Sequence, residues 1–151
     1  KKNGTVGCVV LDKQGNLTAG TSTGGMFKKR WGRIGDSPVI GAGTYADNNS
    51  CAVSCTGHGE YFIRHAVAFD VCARYKYLKE SVEKAADYII HTELNTNAGN
   101  GGLIAVDKLG NIAMPYNSGG MFRGFLYKEK GRPEIKKGCG IGKKIVVVGE
   151  K

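Results

Sequence analysis

The sequence predicts an α+β fold in which one layer of helices covers two stacked β-sheets. Two observations lead to this prediction: one sequence pattern occurs twice, at residues 7–27 and 102–122, and two amphipathic segments lie between the copies. The repeated pattern is typical of a β-hairpin, and the amphipathic segments are typical of helices. The order hairpin, strand, helix pair and hairpin favours helices packed on one side of paired sheets.

Each copy of the repeat consists of an apolar run, a turn of the form Asp-Lys-x-Gly-Asn, a second apolar run and a Gly-Gly pair. Gly15 and Gly110 occupy the turn position at which a hairpin requires positive φ. The first apolar runs, residues 6–11 and 103–106, are continuous rather than alternating, which is typical of strands buried on both faces. We therefore predict doubly covered strands in two stacked sheets.

The segment between the hairpins is predicted to hold one further strand and two helices. Residues 51–55 form the short apolar run of the strand. Residues 59–77 and 81–94 carry apolar side chains at helical spacing, and Ser81 is suited to cap the second helix. Residues 95–102 are predicted to form a loop. The apolar positions of the first helix are Phe62, Ile63, Ala66, Val67, Val71 and Ala73.

Length, composition and charge exclude several classes of protein. The chain has 151 residues, enough for one domain, and a net charge of +9. Its apolar stretches are far shorter than the roughly 20 residues of a bilayer-spanning helix, so we expect no membrane segment. The basic residues lie mainly in 1–33 and 128–151, but no aromatic-interleaved basic stripe occurs, so we expect no nucleic-acid partner.

The chain has five cysteines, an odd number, so they cannot form a complete set of internal disulfides. Cys8, Cys51, Cys55 and Cys72 lie in apolar runs, as buried free thiols do. A metal site built from Cys51, Cys55 and His58 is a weaker alternative, because the spacing is loose and no fourth ligand is evident. We therefore expect no metal ion bound by this chain.

Three segments, residues 4–7, 21–38 and 56–60, are dense in glycine, hydroxyl-bearing and charged residues. Threonine hydroxyls and glycine amides can donate hydrogen bonds to a developing oxyanion, and an arginine can bind a carboxylate through two hydrogen bonds. Arg33 and Asp36 together suit a ligand with both a carboxylate and an ammonium group, such as an amino acid. Each feature alone has a structural explanation, but their coincidence favours an acyl-transfer or anion-binding site.

The three histidines form no recognisable catalytic arrangement with serine or cysteine. His58 lies between two glycines and is expected at a pocket mouth, whereas His65 and His91 fall on the predicted helices. Without a nearby base, a threonine nucleophile can use its own α-amino group when it begins the chain. Thr5 follows Gly4 and precedes a predicted strand, so it is the candidate for this role.

Five motifs in the chain are long and specific. They are Thr5-Val-Gly-x-Val, Thr21-Ser-Thr-Gly-Gly, Gly32-Arg-x-Gly-Asp-Ser-Pro, Gly41-Ala-Gly-x-Tyr-Ala and Ala52-Val-Ser-x-Thr-Gly-x-Gly-Glu. With these motifs, in register over residues 5–126, the chain resembles the β-subunit of the plant/bacterial-type isoaspartyl peptidase/L-asparaginases, which are N-terminal-nucleophile (Ntn) hydrolases. The resemblance implies a four-layer αββα sandwich, of which this chain supplies the β-subunit half and one helix layer.

The resemblance also implies a role for each catalytic residue. Thr5 is the expected nucleophile, released as a new N-terminus when the precursor cleaves itself between Gly4 and Thr5. Thr23 is expected to orient and polarise the nucleophile. The Thr56 hydroxyl and the Gly57 amide are expected to form the oxyanion hole.

Substrate contacts implied by the resemblance come from further residues of the same motifs. Arg33 is expected to grip the substrate α-carboxylate and Asp36 the α-ammonium, while Gly57 and Gly59 line the pocket wall. Thr5 Oγ attacks the side-chain amide of L-asparagine or of a β-aspartyl dipeptide. Ammonia or the downstream peptide leaves, and water then hydrolyses the β-aspartyl-threonyl ester.

The resemblance further implies a longer precursor with a partner subunit. Residues 1–4 are a residual precursor segment, 5–127 the β-subunit domain and 128–151 a basic tail, with a final strand predicted at 144–148. An α-subunit from the same precursor would supply the second helix layer and a loop that binds a structural sodium ion, so no cofactor is expected in this chain. Two αβ heterodimers would form a heterotetramer. Any targeting signal would lie upstream, which leaves cytoplasm and bacterial periplasm both open.

Two alternatives stay open at this point. The glycosylasparaginases share Thr5, Arg33 and Asp36 but cleave the sugar–asparagine link, and residues 59–60 and 102–123 look more like the isoaspartyl peptidase group. A non-catalytic basic binding module would instead bind nucleic acid in a salt-sensitive manner, without any need for the threonine nucleophile.

Overall fold

The computed structural model describes residues 4–26, 28–30, 32–128, 135–140 and 145–147. They form a mixed helix and sheet fold, as the predicted α+β class requires. The strands are β1 (Thr5–Leu11), β2 (Leu17–Thr23), β3 (Thr44–Ala46), β4 (Cys51–Gly57), β5 (Gly101–Asp107), β6 (Ile112–Ala113), β7 (Arg123–Lys128), β8 (Ile135–Gly140) and β9 (Ile145–Val147). The helices are α1 (Gly59–Arg64), α2 (Val67–Ala73), α3 (Val82–Tyr88) and α4 (Leu94–Thr96), with π-helical turns at Arg74–Leu78 and Ile89–Glu93.

Both predicted hairpins are confirmed, although the second is short. β1 pairs with β2 and β5 pairs with β6, each pair antiparallel. Gly15 and Gly110 adopt φ values of 88° and 84°, as the turn chemistry requires. The repeat in the sequence therefore encodes one local structure twice.

An aspartate closes both turns of the repeat. Asp12 accepts hydrogen bonds from two backbone N–H groups and from Nδ2 of Asn16, at 2.7–2.9 Å. These bonds, with those from Asn16 the strongest, hold the pKa of the Asp12 carboxyl below its usual value. Asp107 makes the same three bonds, with Asn111 in the place of Asn16, each at 2.8 Å. The two turns differ in burial, because Asp107 is only 1% exposed.

Two hydrophobic clusters separate three layers. One cluster lies between the helices and the sheet β3-β4-β5-β6, and the other lies between that sheet and the β1-β2 hairpin. Alternate residues of a strand point to opposite faces, so Val53 and Leu103 contact the helices while Ala52 and Ile104 contact the hairpin. β5 is buried along its whole length, as its continuous apolar run predicts.

Within the residues that the structure describes, β1 is buried on one face only, so this chain alone does not supply the predicted cover of both faces. Val9 and Leu11 are buried against the four-stranded sheet, whereas Val6 is 55% exposed and Cys8 and Val10 are partly exposed. The four-stranded sheet therefore covers only one face of this strand.

The prediction of one continuous helix over residues 59–77 is wrong. Ala66 adopts a left-handed conformation with a φ of 44° and separates α1 from α2. The first N–H groups of α2 instead bind the loop before β3, with Ala68 N–H donating to Ala42 O and Phe69 N–H to Gly41 O. These tertiary hydrogen bonds fix where the second segment starts.

The break also alters which apolar side chains are buried. Phe62, Val67 and Val71 belong to the core, but Ile63 is 38% exposed and Ala66 is exposed. The apolar stripe predicted for a straight helix is therefore correct for only part of its positions.

The second helix begins as predicted and ends later. Lys84 N–H donates to Ser81 Oγ at 3.2 Å, which confirms the predicted N-cap. Helical structure continues through the π-helical turn Ile89–Glu93 to Thr96, so the connecting loop is shorter than expected. In the part of the chain that the structure describes, no helix has the length and apolar composition needed to cross a membrane.

Three strands were not predicted: β3, β7 and β8. β3 has only three residues, β7 has an apolar run of only three residues at 125–127, and β8 lies in the polar tail, so neither length nor hydrophobic pattern marks these strands. β7 pairs antiparallel with β8 and parallel with β9. β9 falls within the strand predicted at 144–148, whose first and last residues lie outside the described residues.

Candidate functional site

A cavity of about 480 Å³ lies where β1 begins and where β2 and β4 end. The antiparallel pairing of β1 with β2 brings the start of β1 beside the end of β2. The sheet that packs against this hairpin supplies the end of β4. The cavity brings together all of the site residues that the sequence analysis selected. The roles of these residues stay predictions. These residues are Gly4, Thr5, Thr23, Arg33, Asp36, Thr56, Gly57 and Gly59.

Thr5 and Thr23 form a pair of hydroxyls at one end of the hairpin. They are direct partners in the register of β1 and β2, and their Oγ1 atoms lie 3.0 Å apart. Gly25 N–H donates to Thr23 Oγ1 at 3.0 Å, which fixes the position of that oxygen. A second hydroxyl is therefore held within hydrogen-bond distance of the oxygen predicted to be nucleophilic.

The carbonyl of Gly4, which precedes Thr5, is also held by the end of β2. Gly24 N–H donates to this carbonyl oxygen at 3.2 Å, and the Thr23 hydroxyl donates to it over 3.5 Å. Two donors on one carbonyl oxygen can stabilise negative charge that develops there.

Thr56 and Gly57 close the end of β4 against β5. Gly57 has a φ of 156°, and a Cβ placed there would overlap the carbonyl oxygen of Asn100 and lie 2.6 Å from Phe62 Cε2. Gly101, its partner in the register, is packed as tightly against Phe62. This position therefore accepts only glycine, and it leaves the backbone rather than a side chain at the cavity wall.

Arg33 is flanked by two glycines. A Cβ on Gly35 would lie 2.7 Å from Arg33 Nη1, and one on Gly25 would lie 3.2 Å from Nη2. Side chains at either position would occupy the space of the guanidinium. The glycines thus leave room for a guanidinium that lines the cavity and that can bind a carboxylate through two parallel hydrogen bonds.

Asp36 is buried against Gly59, with 7% of its surface exposed. A Cβ on Gly59 would lie 2.9 Å from Asp36 Oδ1, so glycine is what allows the carboxylate its position. The backbone of Asp36 is fixed as well, because its carbonyl accepts hydrogen bonds from Val39 and Gly43. A buried carboxylate attracts an ammonium group more strongly than one in water.

Lys29 lines the cavity, although sequence reasoning did not select it. Its ammonium donates a hydrogen bond to Glu60, and this bond is the main reason that the pKa of the Glu60 carboxyl is lowered. The run of basic residues at 28–30 was the available signal, but such a run is usually a solvated surface. Met26 and Ser37 are further cavity residues without a distinctive signal.

His58 does not line the cavity, so its expected place at a pocket mouth is wrong. It precedes α1, where its backbone N–H donates to Asn100 O at 2.9 Å. The described residues contain no group of three or more histidine, cysteine or acidic side chains able to hold a metal ion. The alternative of a Cys51, Cys55 and His58 site therefore has no geometric support.

Cys51, Cys55 and Cys72 are buried free thiols, as predicted, whereas Cys8 is partly exposed. The Sγ atoms of Cys51 and Cys72 lie 2.7 Å apart between β4 and α2. The contact with Cys51 and burial in the core raise the pKa of the Cys72 thiol. A raised pKa keeps the Cys72 thiol protonated, so it acts as a core side chain rather than as a nucleophile.

The structure is an α+β fold whose cavity brings together paired threonine hydroxyls, glycine backbone, a guanidinium and a buried carboxylate. Residues 1–134 match the family model described as Asparaginase. The chain belongs to this family.

The chain is also similar to curated relatives from bacteria, plants and animals. It is 54% identical over 127 residues to the isoaspartyl peptidase of Salmonella typhimurium, an alignment of 84% of this chain and 41% of that protein. It is 53% identical over 120 residues to a probable isoaspartyl peptidase/L-asparaginase of Arabidopsis thaliana (80% and 36%). It is 47% identical over 125 residues to the isoaspartyl peptidase/L-asparaginase of Mus musculus (80% and 37%). The chain spans less than half the length of each of these relatives.

Proposed function

We propose that the mature protein hydrolyses the side-chain amide of L-asparagine and of β-aspartyl dipeptides, with Thr5 as the nucleophile. The observation that carries this proposal is the 3.0 Å contact between the Thr5 and Thr23 hydroxyls, in the cavity that Arg33 and Asp36 also line. The names of the relatives, isoaspartyl peptidase and isoaspartyl peptidase/L-asparaginase, support the substrate class.

The mechanism first requires cleavage of the Gly4–Thr5 bond, because the amide nitrogen of Thr5 cannot act as a base. Thr5 Oγ attacks the Gly4 carbonyl, whose oxygen is held by Gly24 N–H and the Thr23 hydroxyl. The acyl group moves from nitrogen to oxygen, and water hydrolyses the resulting ester to give a carboxylate on Gly4 and a free α-amine on Thr5.

The new α-amine then serves as the general base for Thr5 Oγ. Thr23 has one hydroxyl proton, and loss of the Gly4 carbonyl frees it to donate to the nucleophile. Thr5 Oγ attacks the substrate amide carbon, and the Thr56 hydroxyl and Gly57 N–H stabilise the tetrahedral oxyanion. The protonated α-amine gives its proton to the leaving ammonia or peptide amine, and water clears the ester.

Arg33 and Asp36 set the substrate class in this proposal. Arg33 binds the α-carboxylate in the space that Gly25 and Gly35 leave open, and buried Asp36 binds the α-ammonium beside Gly59. A ligand with both charges is held at a fixed distance from the nucleophile, so that its side-chain amide rather than its α-carboxylate is attacked.

We also propose the four-layer αββα sandwich, with an α-subunit of the same precursor as the partner and two αβ heterodimers in the assembly. Three layers occur in this chain, and the outer face of β1, with Val6 at 55% exposure, has the apolar character of a surface that receives another element. The structural sodium ion is assigned to that α-subunit and not to residues of this chain.

The proposal is tested with the processed protein from a full-length precursor, by aspartate release from a β-aspartyl dipeptide, asparagine and a glycosylated asparagine. We expect turnover of the first two substrates, a loss of activity in Thr5→Ala and a large rise in KM in Arg33→Gln. Turnover of the glycosylated substrate alone would favour the glycosylasparaginase alternative. No turnover of any substrate by a protein cleaved before Thr5 would refute the proposal.

A further inference from the structure

Behind the cavity, a hydrogen bond between Thr21 and Ser54 joins β2 to β4. The proposed mechanism does not use this contact. The Oγ atoms of Thr21 and Ser54 lie 2.7 Å apart, and the Thr21 hydroxyl also donates to the Gly43 carbonyl at 3.0 Å. Thr21 has a single hydroxyl proton, so it accepts from Ser54 while it donates to Gly43. The three groups form a chain with one direction of donation.

The pair lies directly beneath the site residues. Thr21 precedes Thr23 by two positions on β2, and Ser54 precedes Thr56 by two positions on β4. Side chains two residues apart share a face of a strand, about 6.6 Å from one another. β2 and β4 belong to different sheets, so this contact connects the strand beside the nucleophile to the strand of the oxyanion hole.

Gly43 connects the same pair to the substrate-binding segment. Its carbonyl accepts from both Thr21 and the N–H of Cys55, and its own N–H donates to the Asp36 carbonyl at 3.1 Å. A Cβ on Gly43 would overlap this carbonyl oxygen and lie 2.8 Å from Ser37 Cα. No side chain larger than that of glycine fits between the strand and the segment that carries Asp36.

The burial of Ser54 makes this contact costly to lose. Ser54 is fully buried, and a buried hydroxyl without a hydrogen-bond partner destabilises the folded protein. The strands would therefore rearrange until Ser54 found another acceptor, and a shift of the strand ends would follow. Catalytic groups lose much of their effect when displaced by about 1 Å.

We propose that Thr21, Ser54 and Gly43 are positioning residues that set the distance between the Thr5–Thr23 pair and the oxyanion hole at Thr56. They do not contact the substrate. This inference rests on the proposed function, because it assigns these residues to the same reaction.

Thr21→Val in the full-length precursor tests the inference, since valine keeps the β-branched shape but removes both hydrogen bonds. After processing, we expect kcat for a β-aspartyl dipeptide to fall by about 10- to 100-fold. We expect KM to change by less than about threefold, because Gly43 N–H still holds Asp36. Thr21→Ser keeps the hydroxyl and should recover kcat to within about threefold of the wild type. Thr92→Val, the same change at an exposed position of the helix layer and away from the cavity, is the matched control and should leave kcat unchanged.

Ser54→Ala provides a second variant if Thr21→Val does not fold. It leaves the Thr21–Gly43 bond in place, and we expect a smaller loss in kcat with the same unchanged KM. The inference is overturned if kcat in Thr21→Val, or in Ser54→Ala where only that variant folds, stays within threefold of the wild type. A failure of Thr21→Ser to recover kcat, or an equal loss in Thr92→Val, overturns it as well. A processed but inactive wild type would refute the proposed function and this inference together, whereas an active wild type with unaffected variants refutes only the inference.

Discussion

Replacement of Gly59 by alanine should weaken substrate binding without unfolding the protein. A Cβ at this position lies 2.9 Å from both the backbone nitrogen and Oδ1 of Asp36, whereas ordinary contacts begin at 3.4 Å. The Asp36 carboxylate, or the start of α1, must therefore move by about 0.5 Å to relieve the overlap. That movement takes the carboxylate away from the position at which it would bind the substrate ammonium.

The size of the effect follows from the interaction that is impaired. A hydrogen bond to a charged group contributes about 1.5–3 kcal/mol, so its loss corresponds to a decrease in kcat/KM of about 10- to 100-fold. Most of the decrease should appear in KM, because the ammonium is bound in the ground state and in the transition state alike. Stability should fall modestly, because the Cβ also lies 2.9 Å from the Asp36 backbone nitrogen, and the preference of helices for alanine over glycine offsets this by up to about 1 kcal/mol.

Steady-state kinetics with asparagine and a β-aspartyl dipeptide, together with thermal unfolding of the same samples, measure both quantities. Gly119→Ala is the matched control, because a Cβ on this exposed loop glycine meets nothing within 4 Å and should leave KM unchanged. An unchanged KM in a folded Gly59→Ala protein would refute the assignment of Asp36 to the substrate ammonium.

Two further predictions concern stability. Asp107→Ala should lower the free energy of unfolding in urea by about 3 kcal/mol, because it leaves three hydrogen-bond donors without their acceptor at a buried position. The same change at exposed Asp12 should cost clearly less. Equal losses at the two positions would contradict the role given to burial. The hydrogen bond from Lys76 is the main cause that lowers the pKa of Asp47 below 3.8. The Lys76–Asp47 pair therefore stabilises the protein above about pH 4, and this contribution is lost as pH falls through the folded-state pKa of Asp47. Between about pH 4 and pH 2, the free energy of unfolding should therefore fall more in the wild type than in Lys76→Met. The same fall in both proteins would show that the pair contributes nothing to stability.

Local chemistry explains why the hairpins could be predicted from the sequence. An aspartate that binds the backbone of its own turn, as Asp107 does, and a glycine with positive φ specify a hairpin within a few residues. The break at Ala66 has no such signal, because neither glycine nor proline marks it. Its cause is the hydrogen bonding of α2 to residues 41–42, which a helical pattern does not reveal. The continuous apolar run of β1 predicts cover on both faces, of which this chain supplies only one, through the four-stranded sheet.

The site was predictable to the extent that its residues are rare or grouped. Glycines, threonines, Arg33 and Asp36 stand together in short motifs, and the resemblance to a known family gave each of them a role. Lys29 looked like an ordinary surface residue, and Ser54 like a strand residue. Their importance depends on contacts between β2, β4 and the loops, which arise only when the sheets are stacked.

The central claim is that Thr5 becomes an N-terminal nucleophile, and the intact mass of the products of a full-length precursor tests it most directly. The account predicts that a chain beginning at Thr5 accumulates on standing, that Thr5→Ala abolishes its appearance, and that Thr92→Ala in the helix layer does not. A Gly4–Thr5 bond that stays whole under all conditions, in a precursor that is folded, would contradict the account.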